Sequence, residues 1–227
     1  QALIATEDER FRSHSGIDFR GLMRAVVNLG SAGGASTITQ QLSKNLFSRF
    51  DRPSNKMGRI MQKFKEWVIS VELEKRYTKN EILVMYLNTV PFSGVSFGID
   101  AASKEFFNKT PKELNIEEAA VLIGMLKANH RYNPKYNPEN SLNRRNTVLG
   151  QMNKYGYLSK DSLELLKVLP IKLDYRPTSS QGVAPYFKTE LGEYLKKWCS
   201  DKGFNLYRSG LKIYTTTEKF QKYFNER

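Results

Sequence analysis

Titratable residues crowd one short segment near the start of the chain, from Glu7 to Gly16. The stretch just before it, Ala2 to Ile4, is apolar and belongs to a predicted helix. A carboxylate at the end of an apolar helix is partly removed from water, which suits it to proton transfer. Glu7 is therefore a candidate general base. The alternative is a charged helix end that is simply solvated.

A glycine-rich loop over residues 30–36 leads into a helix that carries hydroxyl, amide and basic side chains. Free backbone N–H groups at the start of a helix favour a bound phosphate. No Gly-Lys-Ser/Thr follows at the spacing of a nucleotide P-loop, so that kind of site is excluded. The alternative is a surface loop before an ordinary amphipathic helix. The candidate binding residues here are Ser36, Thr39, Gln40, Gln41 and Lys44.

A third segment, residues 57–71, carries an apolar stripe at helical spacing. Glu66 and Ser70 fall on the face opposite Phe64 and Trp67. Helical spacing by itself favours a solvated polar face. If this face instead lines a cleft, one carboxylate within a basic cluster would suit a diphosphate with a bridging divalent cation. The basic residues near Glu66 are Arg59, Lys63 and Lys65.

The chain is strongly basic. It has 227 residues and a net charge of +13, from 36 Lys and Arg against 23 Asp and Glu. Such a charge attracts anions such as nucleic acid, anionic lipid or a phosphorylated substrate. The sequence has no zinc finger, basic leucine zipper or RNA-binding aromatic signature, and its lysines are spread out, so we predict no nucleic-acid partner. A basic surface that only confers solubility is the alternative.

Cysteines, histidines and apolar runs exclude further classes. Cys199 is the only cysteine, which excludes an internal disulfide and a CxxC zinc site. The two histidines, His14 and His130, leave little for a histidine-based metal site. The longest strictly apolar run, 119–126, is far shorter than the roughly 20 residues that a membrane span needs.

Helical periodicity dominates the chain and predicts a mainly α fold. Capping signals mark helix starts at Thr78, Thr110 and Asn115, where a glutamate follows within the first turn. Asp18 is predicted to cap a helix that ends near Gly30. Further helices are predicted over 139–155, 159–169 and 185–198.

Residues 1–170 are therefore predicted to form one helical domain. The stretch 171–184 contains Pro, Ser and Gly and is typical of a linker. Apolar and polar residues alternate over 211–216, which predicts a short strand. Residues 171–227 are thus predicted to be a linker and the start of a further region.

Five ordered motifs resemble the peptidoglycan glycosyltransferase domain (glycosyltransferase family 51) of class A penicillin-binding proteins. The first, from Glu7 to Gly16, is similar to ED-x-x-F-x-x-H-x-G. The second, residues 34–41, is similar to G-x-S-T-I-T-Q-Q, and Lys44-Asn45 follows it as in the family. The others lie at 63–66, 81–88 and 118–126, the last followed by Tyr132-Asn133-Pro134. The resemblance covers residues 1 to about 155, and 183–217 resembles the segment leading into a transpeptidase domain.

The resemblance implies a lysozyme-like helical glycosyltransferase domain that polymerises lipid II into β-1,4-linked glycan, with inversion and release of undecaprenyl diphosphate. It implies two catalytic residues, Glu7 as the general base and Glu66. Mg²⁺ or another divalent cation is implied as cofactor, with Glu66 as a metal contact through the diphosphate. The implied substrate-binding residues are Asp8, Ser36, Thr39, Gln40, Gln41, Lys44, Asn45, Arg59, Lys63 and Lys65.

The resemblance also implies a location and partners. The expected location is the outer face of the bacterial cytoplasmic membrane, on the periplasmic side. The expected partners are lipid II, the lipid-linked glycan chain and the membrane surface. In the natural protein we expect an N-terminal transmembrane helix and a transpeptidase domain, both outside this chain.

Three positions depart from the family pattern. Gln62 stands in place of an arginine, Ser93 in place of a glycine, and residues 127–130 in place of a proline-containing segment. None of these touches Glu7 or Glu66, so they bear on substrate contacts rather than on the activity. Two other classes remain open: a lysozyme-like lytic hydrolase with Glu7 as an acid, and a non-catalytic basic binding module.

Overall fold

The described part of the chain is helical. The computed structural model describes residues 1–27, 36–48, 53, 55–93, 96–176, 185–206, 209 and 211. Contacts divide the chain into two compact units, Gln1–Thr178 and Ser179–Arg227. Among the described residues the only β pairing is one isolated bridge between Pro91 and Phe97. The prediction of a mainly α fold is confirmed.

Apart from a helix over Ile99–Phe107, which the sequence did not predict, the helices of the described residues follow the order of the predicted ones, with a 3₁₀ turn at Phe11–Ser13 and a π-helical turn at Lys44–Ser48. Their bounds are α1 Ala2–Glu7, α2 Phe19–Val27, α3 Ile38–Ser43, α4 Lys56–Arg76, α5 Lys79–Thr89, α6 Ile99–Phe107, α7 Ile116–Met125, α8 Pro138–Lys154, α9 Lys160–Val168 and α10 Pro185–Asp201. The predicted strand over 211–216 and the predicted end of a helix near Gly30 lie outside the described residues.

Side-chain caps start several of these helices. Thr78 and Glu81 form a reciprocal capping box at α5, as the sequence predicts. Asp18 accepts a hydrogen bond from the backbone N–H of Gly21 at 3.0 Å, which caps α2 as predicted. These local contacts satisfy backbone groups that a helix terminus would otherwise leave unpaired.

The predicted helix start at Thr110 is wrong. Glu113 accepts hydrogen bonds from both the backbone N–H and the hydroxyl of Thr110 at 2.8 Å, as in a cap. Only a turn follows, because the cap of α7 at Asn115 comes so soon that a single turn fits between the two.

The core of the first unit forms where α7 packs on α8 and α1 lies against both. Gly124 of α7 permits a close approach, since a Cβ there would lie 3.1 Å from Cγ of Arg144 on α8. Leu3 and Ile4 of α1 are buried in this core. Glu7, at the end of α1, is thereby held at the edge of the core.

Helix α4 has the opposite orientation to the one that its apolar stripe favours. Phe64 and Val68 are 53% and 71% exposed, whereas Glu66 and Ser70 are 4% and 0% exposed. The reason is that α4 packs against α3 through polar contacts. The expectation of a solvated polar face is therefore wrong, and apolar side chains such as Phe64 and Val68 lie outside. No helix in the described ranges is both long and apolar enough to cross a membrane.

Arg145 of α8 fixes the chain segment that follows α9. It is fully buried, and its guanidinium donates to the backbone oxygens of Lys167 at 3.0 Å and Leu169 at 2.6 Å. Burial lowers the pKa of Arg145, and the nearby charge of Glu117 opposes this shift. A buried cation is tolerated here because it satisfies carbonyl groups at the end of α9.

Glu105 of α6 holds the same segment further along. Its buried carboxylate accepts hydrogen bonds from Ser93 at 3.1 Å, from Tyr175 at 3.0 Å and from Ser96. Burial, followed by the bond to Glu105, raises the pKa of Tyr175 to about 12. The departure at Ser93 thus has a structural reason, because its hydroxyl satisfies a buried carboxylate.

Residues after Pro170 also pack on the first unit. Ile171, Leu173 and Tyr175 pack against the core, and the backbone N–H of Arg176 donates to the backbone oxygen of Glu105 at 2.7 Å. Contacts place the end of this unit at Thr178, and the predicted domain bounds of 1–170 and 171–227 stay predictions.

The second unit contains α10 and a compact turn after it. Trp198 and Phe204 stack with ring centroids 6.1 Å apart and an interplanar angle of 15°. The backbone N–H of Phe204 donates to the Cys199 oxygen at 2.8 Å, and Gly203 between them has a φ of 71°. Cys199 is buried and carries a free thiol.

Gly16 offers a test of how the first acidic segment is held against α4. Its φ is +91°, and a Cβ at this position would lie 2.8 Å from the backbone carbonyl of Ser70. We expect Gly16→Ala to lower the free energy of unfolding by about 2 kcal/mol or more, because both the conformation and the space exclude a side chain. Urea denaturation of the purified chain measures this.

Gly150 is the matched control. It lies inside α8, and nothing is within 4 Å of the position of its Cβ. Gly150→Ala should raise the free energy of unfolding by about 0.5–1 kcal/mol. Equal effects of the two substitutions would contradict the close packing of Gly16 on α4.

Candidate active site

Glu7 lies at the C-terminal end of α1 with one carboxylate oxygen bonded and the other less constrained. Its Oε2 accepts a hydrogen bond from Nε2 of Gln41 at 3.0 Å. Its Oε1 lies 4.0 Å from Nη2 of Arg144, and the side chain is 19% exposed. Glu7 is thus a partly buried carboxylate with specific partners rather than a solvated helix end.

A polar cavity of about 300 Å³ opens beside Glu7. Its walls come from the end of α1, from α2, from the residues before α3 and from the last turn of α8. The cavity offers hydrogen-bonding and charged groups of both signs, which suits a hydroxyl-rich ligand with an anionic part. Its polar lining includes Glu7, Glu9, Arg24, Ser36, Gln151 and Lys154.

Asp8 is directed into the protein. Its carboxylate accepts from Nε2 of His14 at 3.0 Å and from the backbone N–H of Ile38 at 2.9 Å. The backbone N–H of Gly16 donates to Nδ1 of His14 at 3.2 Å, so the ring hydrogen is on Nε2 and His14 donates to Asp8. Asp8 is 7% exposed and ties the first motif to the start of α3. Its predicted role in substrate binding stays a prediction.

Arg10 forms ion pairs on the outer side of the segment from Glu7 to Gly16. It forms an ion pair with Asp18 at 2.5 Å and a second with Glu9 at 2.7 Å. Burial alone would raise the pKa of Asp18, but the hydrogen bonds from Arg10 and Gly21 outweigh it and hold that pKa below its usual range. Glu9 also accepts from the hydroxyl of Tyr155, the residue that follows α8. This network supports the wall of the cavity.

The three predicted binding residues of α3 have different surroundings. Thr39 is fully buried, and its hydroxyl donates to Glu74 at 2.6 Å. Gln40 is buried in the capping box with Thr37. Gln41 alone reaches Glu7. The structure therefore brings one of these three predicted substrate contacts to the candidate base and gives the other two partners within the protein.

A second carboxylate connects to the cavity through Lys63. Nζ of Lys63 lies 3.0 Å from Oε2 of Glu66 and 2.9 Å from Oγ of Ser36. Glu66 is buried, whereas the Lys63 side chain is 41% exposed. Since Ser36 lines the cavity beside Glu7, the second and third motifs meet there. In this pair the Lys63 ammonium group lies toward solvent, and the buried Glu66 carboxylate lies behind it.

The remaining predicted binding residues lie on the surface. Lys44, Arg59 and Lys65 are exposed, and Asn45 is half-buried. Lys44 and Asn45 belong to the π-helical turn after α3. Arg59 and Lys65 belong to α4. Exposed cations around a site of this kind attract an anionic substrate.

A metal held by the protein alone does not fit the described residues. Within those ranges no group of three or more Asp, Glu, His or Cys side chains is placed to hold a metal ion. Glu66 supplies one carboxylate, which already accepts from Lys63. Mg²⁺ is commonly bound through one or two carboxylates together with substrate phosphates. The donor set fits a cation that arrives with, or bridges to, a diphosphate.

Two residues of the site are absent from the predicted set. Arg144 lies beside Glu7, and its buried Nε has no hydrogen-bond partner among the described residues. Tyr86 of α5 is 1% exposed, and its hydroxyl donates to Oε1 of Gln41 at 2.8 Å. Burial, and then the charge of Glu7, raise the pKa of Tyr86 above its usual range. The sequence signal for Arg144 was its position next to Arg145 in the helix predicted over 139–155.

A family model described as Transglycosylase matches residues 1–153, about two thirds of the chain. The chain belongs to the transglycosylase family. All the predicted site residues of this transglycosylase domain, from Glu7 to Glu66, lie within the matched range. The predicted family is thereby confirmed, and the comparisons favour neither the lytic hydrolase nor the basic binding module.

The similar proteins are penicillin-binding proteins much longer than this chain. Penicillin-binding protein 2a of Streptococcus pneumoniae is 35% identical over 96% of this chain and 30% of its own length. Penicillin-binding protein 1A of Escherichia coli is 36% identical over 97% of this chain and 26% of its own length. Penicillin-binding protein 1F of Bacillus subtilis is 44% identical over 70% of this chain and 22% of its own length. The transglycosylase chain thus spans a third or less of these relatives.

Proposed function

We propose that this domain polymerises lipid II into β-1,4-linked glycan, with inversion at the anomeric carbon and release of undecaprenyl diphosphate. The observation that carries the proposal is the arrangement of Glu7: one oxygen is held by Gln41, and the side chain lines a polar cavity. Ser36 lines the same cavity and connects it to the Lys63–Glu66 pair. A base and a diphosphate-binding cation are the two groups that the reaction needs.

The chemical step transfers one proton and exchanges one bond. Glu7 takes the proton from the C4 hydroxyl of the acceptor sugar, and the oxygen attacks the anomeric carbon of the donor. The bond from that carbon to the diphosphate oxygen breaks, and its electron pair leaves with the diphosphate. Attack from the face opposite the leaving group inverts the configuration, as water does in an inverting glycosidase.

The leaving diphosphate needs positive charge more than it needs a general acid. Lys63 lies beside the cavity lining, and Lys44, Arg59 and Lys65 are exposed cations. Fixed positive groups stabilise charge that develops in the transition state. Glu66 holds Lys63 in place and prevents an unpaired cation within a partly buried site.

We infer that a divalent cation such as Mg²⁺ assists at the diphosphate. Glu66 would supply a protein ligand, and the remaining ligands would be phosphate oxygens and water. The cation would neutralise charge on the leaving group. The buried position of Glu66 next to Lys63 supports this inference, because a single carboxylate there leaves most ligand positions to the substrate.

We further propose that the exposed apolar side chains of α4 and α2 contact the bilayer that contains the lipid substrate, at the outer face of the cytoplasmic membrane. Large apolar patches of this kind mark contact surfaces on soluble domains. Basic side chains nearby would add attraction to anionic lipid headgroups. The transmembrane anchor and the transpeptidase domain of the natural protein stay predictions of the family resemblance. The exposed apolar residues are Met57, Ile60, Met61, Phe64 and Val68 of α4, and Phe19, Met23 and Val27 of α2.

Replacing the base tests the proposed reaction. We expect Glu7→Gln to lower the polymerisation rate by about 10²–10⁴-fold, because an amide cannot accept the proton. The measurement follows glycan chains formed from radiolabelled lipid II on a gel. Glu164→Gln is the control, since Glu164 is an exposed residue of α9 that pairs with Lys167. Near-normal polymerisation by Glu7→Gln would contradict the assignment of Glu7 as the general base.

One variant of Glu66 tests both its own role and the role of the divalent cation. We expect Glu66→Gln to lower activity about 10- to 100-fold and to raise the Mg²⁺ concentration needed for half-maximal rate, because the ligand and the support of Lys63 are both lost. Glu72→Gln on the same helix is the control, since Glu72 is an exposed partner of Arg76. An unchanged Mg²⁺ dependence in Glu66→Gln would argue against Glu66 as a metal contact.

Membrane contact is tested by co-sedimentation with phosphatidylglycerol vesicles. We expect the double variant Ile60→Ser, Phe64→Ser to bind vesicles at least tenfold more weakly, because two exposed apolar side chains are lost from α4. Val84→Ser is the control, as Val84 is 58% exposed but lies on α5. Vesicle binding that is equal in both variants and abolished by salt would indicate charge attraction alone.

A further inference from the structure

We propose that Tyr86 and Gln41 are positioning residues that fix the carboxylate of Glu7 and decide which of its oxygens accepts the proton. The inference rests on the proposed role of Glu7 as base. It gives Gln41 a role beside or in place of substrate binding, and it gives Tyr86 a role that its buried position does not by itself suggest.

The three side chains form one hydrogen-bonded line. The hydroxyl of Tyr86 donates to Oε1 of Gln41 at 2.8 Å, and Nε2 of the same amide donates to Oε2 of Glu7 at 3.0 Å. An ionised carboxylate can only accept hydrogen bonds, so the amide must present its nitrogen to Glu7. Its oxygen must then face Tyr86, where the hydroxyl satisfies it.

Removal of the Tyr86 hydroxyl would release this orientation. The amide oxygen would lose its partner in a partly buried place, and rotation of the amide would bring that oxygen against the Glu7 carboxylate. Two acceptors in contact repel each other, and a buried unpaired acceptor is costly. Tyr86 therefore stabilises the one amide orientation in which Gln41 supports the ionised base.

Tyr86 is well suited to a fixed donor role. Its ring is 1% exposed in the core beneath α5, so packing determines where the hydroxyl lies. Burial raises the pKa of Tyr86, and the negative charge of Glu7 raises it further. The hydroxyl therefore keeps its proton, and remains a donor, at neutral pH, where a carboxylate base works.

The hydrogen bonds from Tyr86 to Gln41 and from Gln41 to Glu7 leave Oε1 of Glu7 as the oxygen that accepts the proton. Oε2 is occupied by Gln41, whereas Oε1 faces Arg144 at 4.0 Å. In the proposed step the acceptor O–H bond breaks, its proton goes to Oε1 and its electron pair forms the new bond to the anomeric carbon. Oε2 keeps its hydrogen bond to Gln41 throughout, so the carboxylate does not turn during proton transfer.

The experiment compares Tyr86→Phe, Gln41→Met and their double variant in the lipid II polymerisation assay. Phenylalanine keeps the buried ring and removes only the hydroxyl. We expect kcat to fall about 3- to 10-fold in Tyr86→Phe while KM for lipid II stays unchanged. We expect the acid limb of the kcat–pH profile to move to higher pH, because the ionised base has lost a fixed donor.

The double variant identifies the route of the effect. If Tyr86 acts through Gln41, the double variant is no slower than Gln41→Met alone. Tyr157→Phe is the control, because Tyr157 lies at the surface after α8 and should show wild-type kcat and pH profile. Thermal unfolding of each variant separates a loss of folded protein from a slower reaction.

The outcomes distinguish this inference from the proposed function. Wild-type kcat and pH profile in Tyr86→Phe, or additive losses in the double variant, would overturn the positioning role while an inactive Glu7→Gln keeps the base assignment. An active Glu7→Gln would overturn both. A lower kcat, unchanged KM, shifted acid limb and non-additive double variant together support Tyr86 and Gln41 as positioning residues.

Discussion

The carboxylate of Asp8 is the contact on which the site depends. It accepts from His14 and from the backbone N–H of Ile38, which joins the end of α1 to the start of α3. Glu7 and Gln41 belong to those two helices, so the Asp8 contacts help to set the spacing at which these two side chains meet. Gly16 adds a close approach to α4 that brings the third motif to the same place. A buried carboxylate is tolerated because hydrogen bonds satisfy it.

Helix α4 links the chemistry to the surface. Its polar face packs inward on α3, which places Glu66 behind Lys63 and leaves Phe64 and Val68 outside. The same helix therefore carries a partly exposed cation on one side and an exposed apolar surface on the other, which suits the proposed lipid-linked diphosphate substrate. A substrate that has a diphosphate head and a lipid tail needs both kinds of surface. One element can present them together only because its polar face is the buried one.

Away from the site, two buried charged groups that form no salt bridge within the described residues secure the end of the first unit. The Arg145 guanidinium donates to the backbone carbonyls of Lys167 and Leu169. The Glu105 carboxylate accepts from hydroxyls that include that of Tyr175. Each charge is satisfied by dipoles rather than by an ion pair, which specifies geometry through several directed bonds. Arg144, next to Arg145 on α8, reaches Glu7 instead. The same helix thus contributes to both the site and the unit's end.

The sequence by itself determined the helical class, most helix bounds and the resemblance of its motifs to those of a glycosyltransferase family. These depend on local periodicity, on caps such as Thr78 with Glu81, and on motif spacing, all of which are properties of short stretches. Only the tertiary structure decided that α4 turns its apolar face outward and that Thr110 starts no helix. It alone showed Tyr86, Gln41 and Arg144 around Glu7. These outcomes depend on which helices pack together, and the free energy of that packing is shared by residues far apart in the chain.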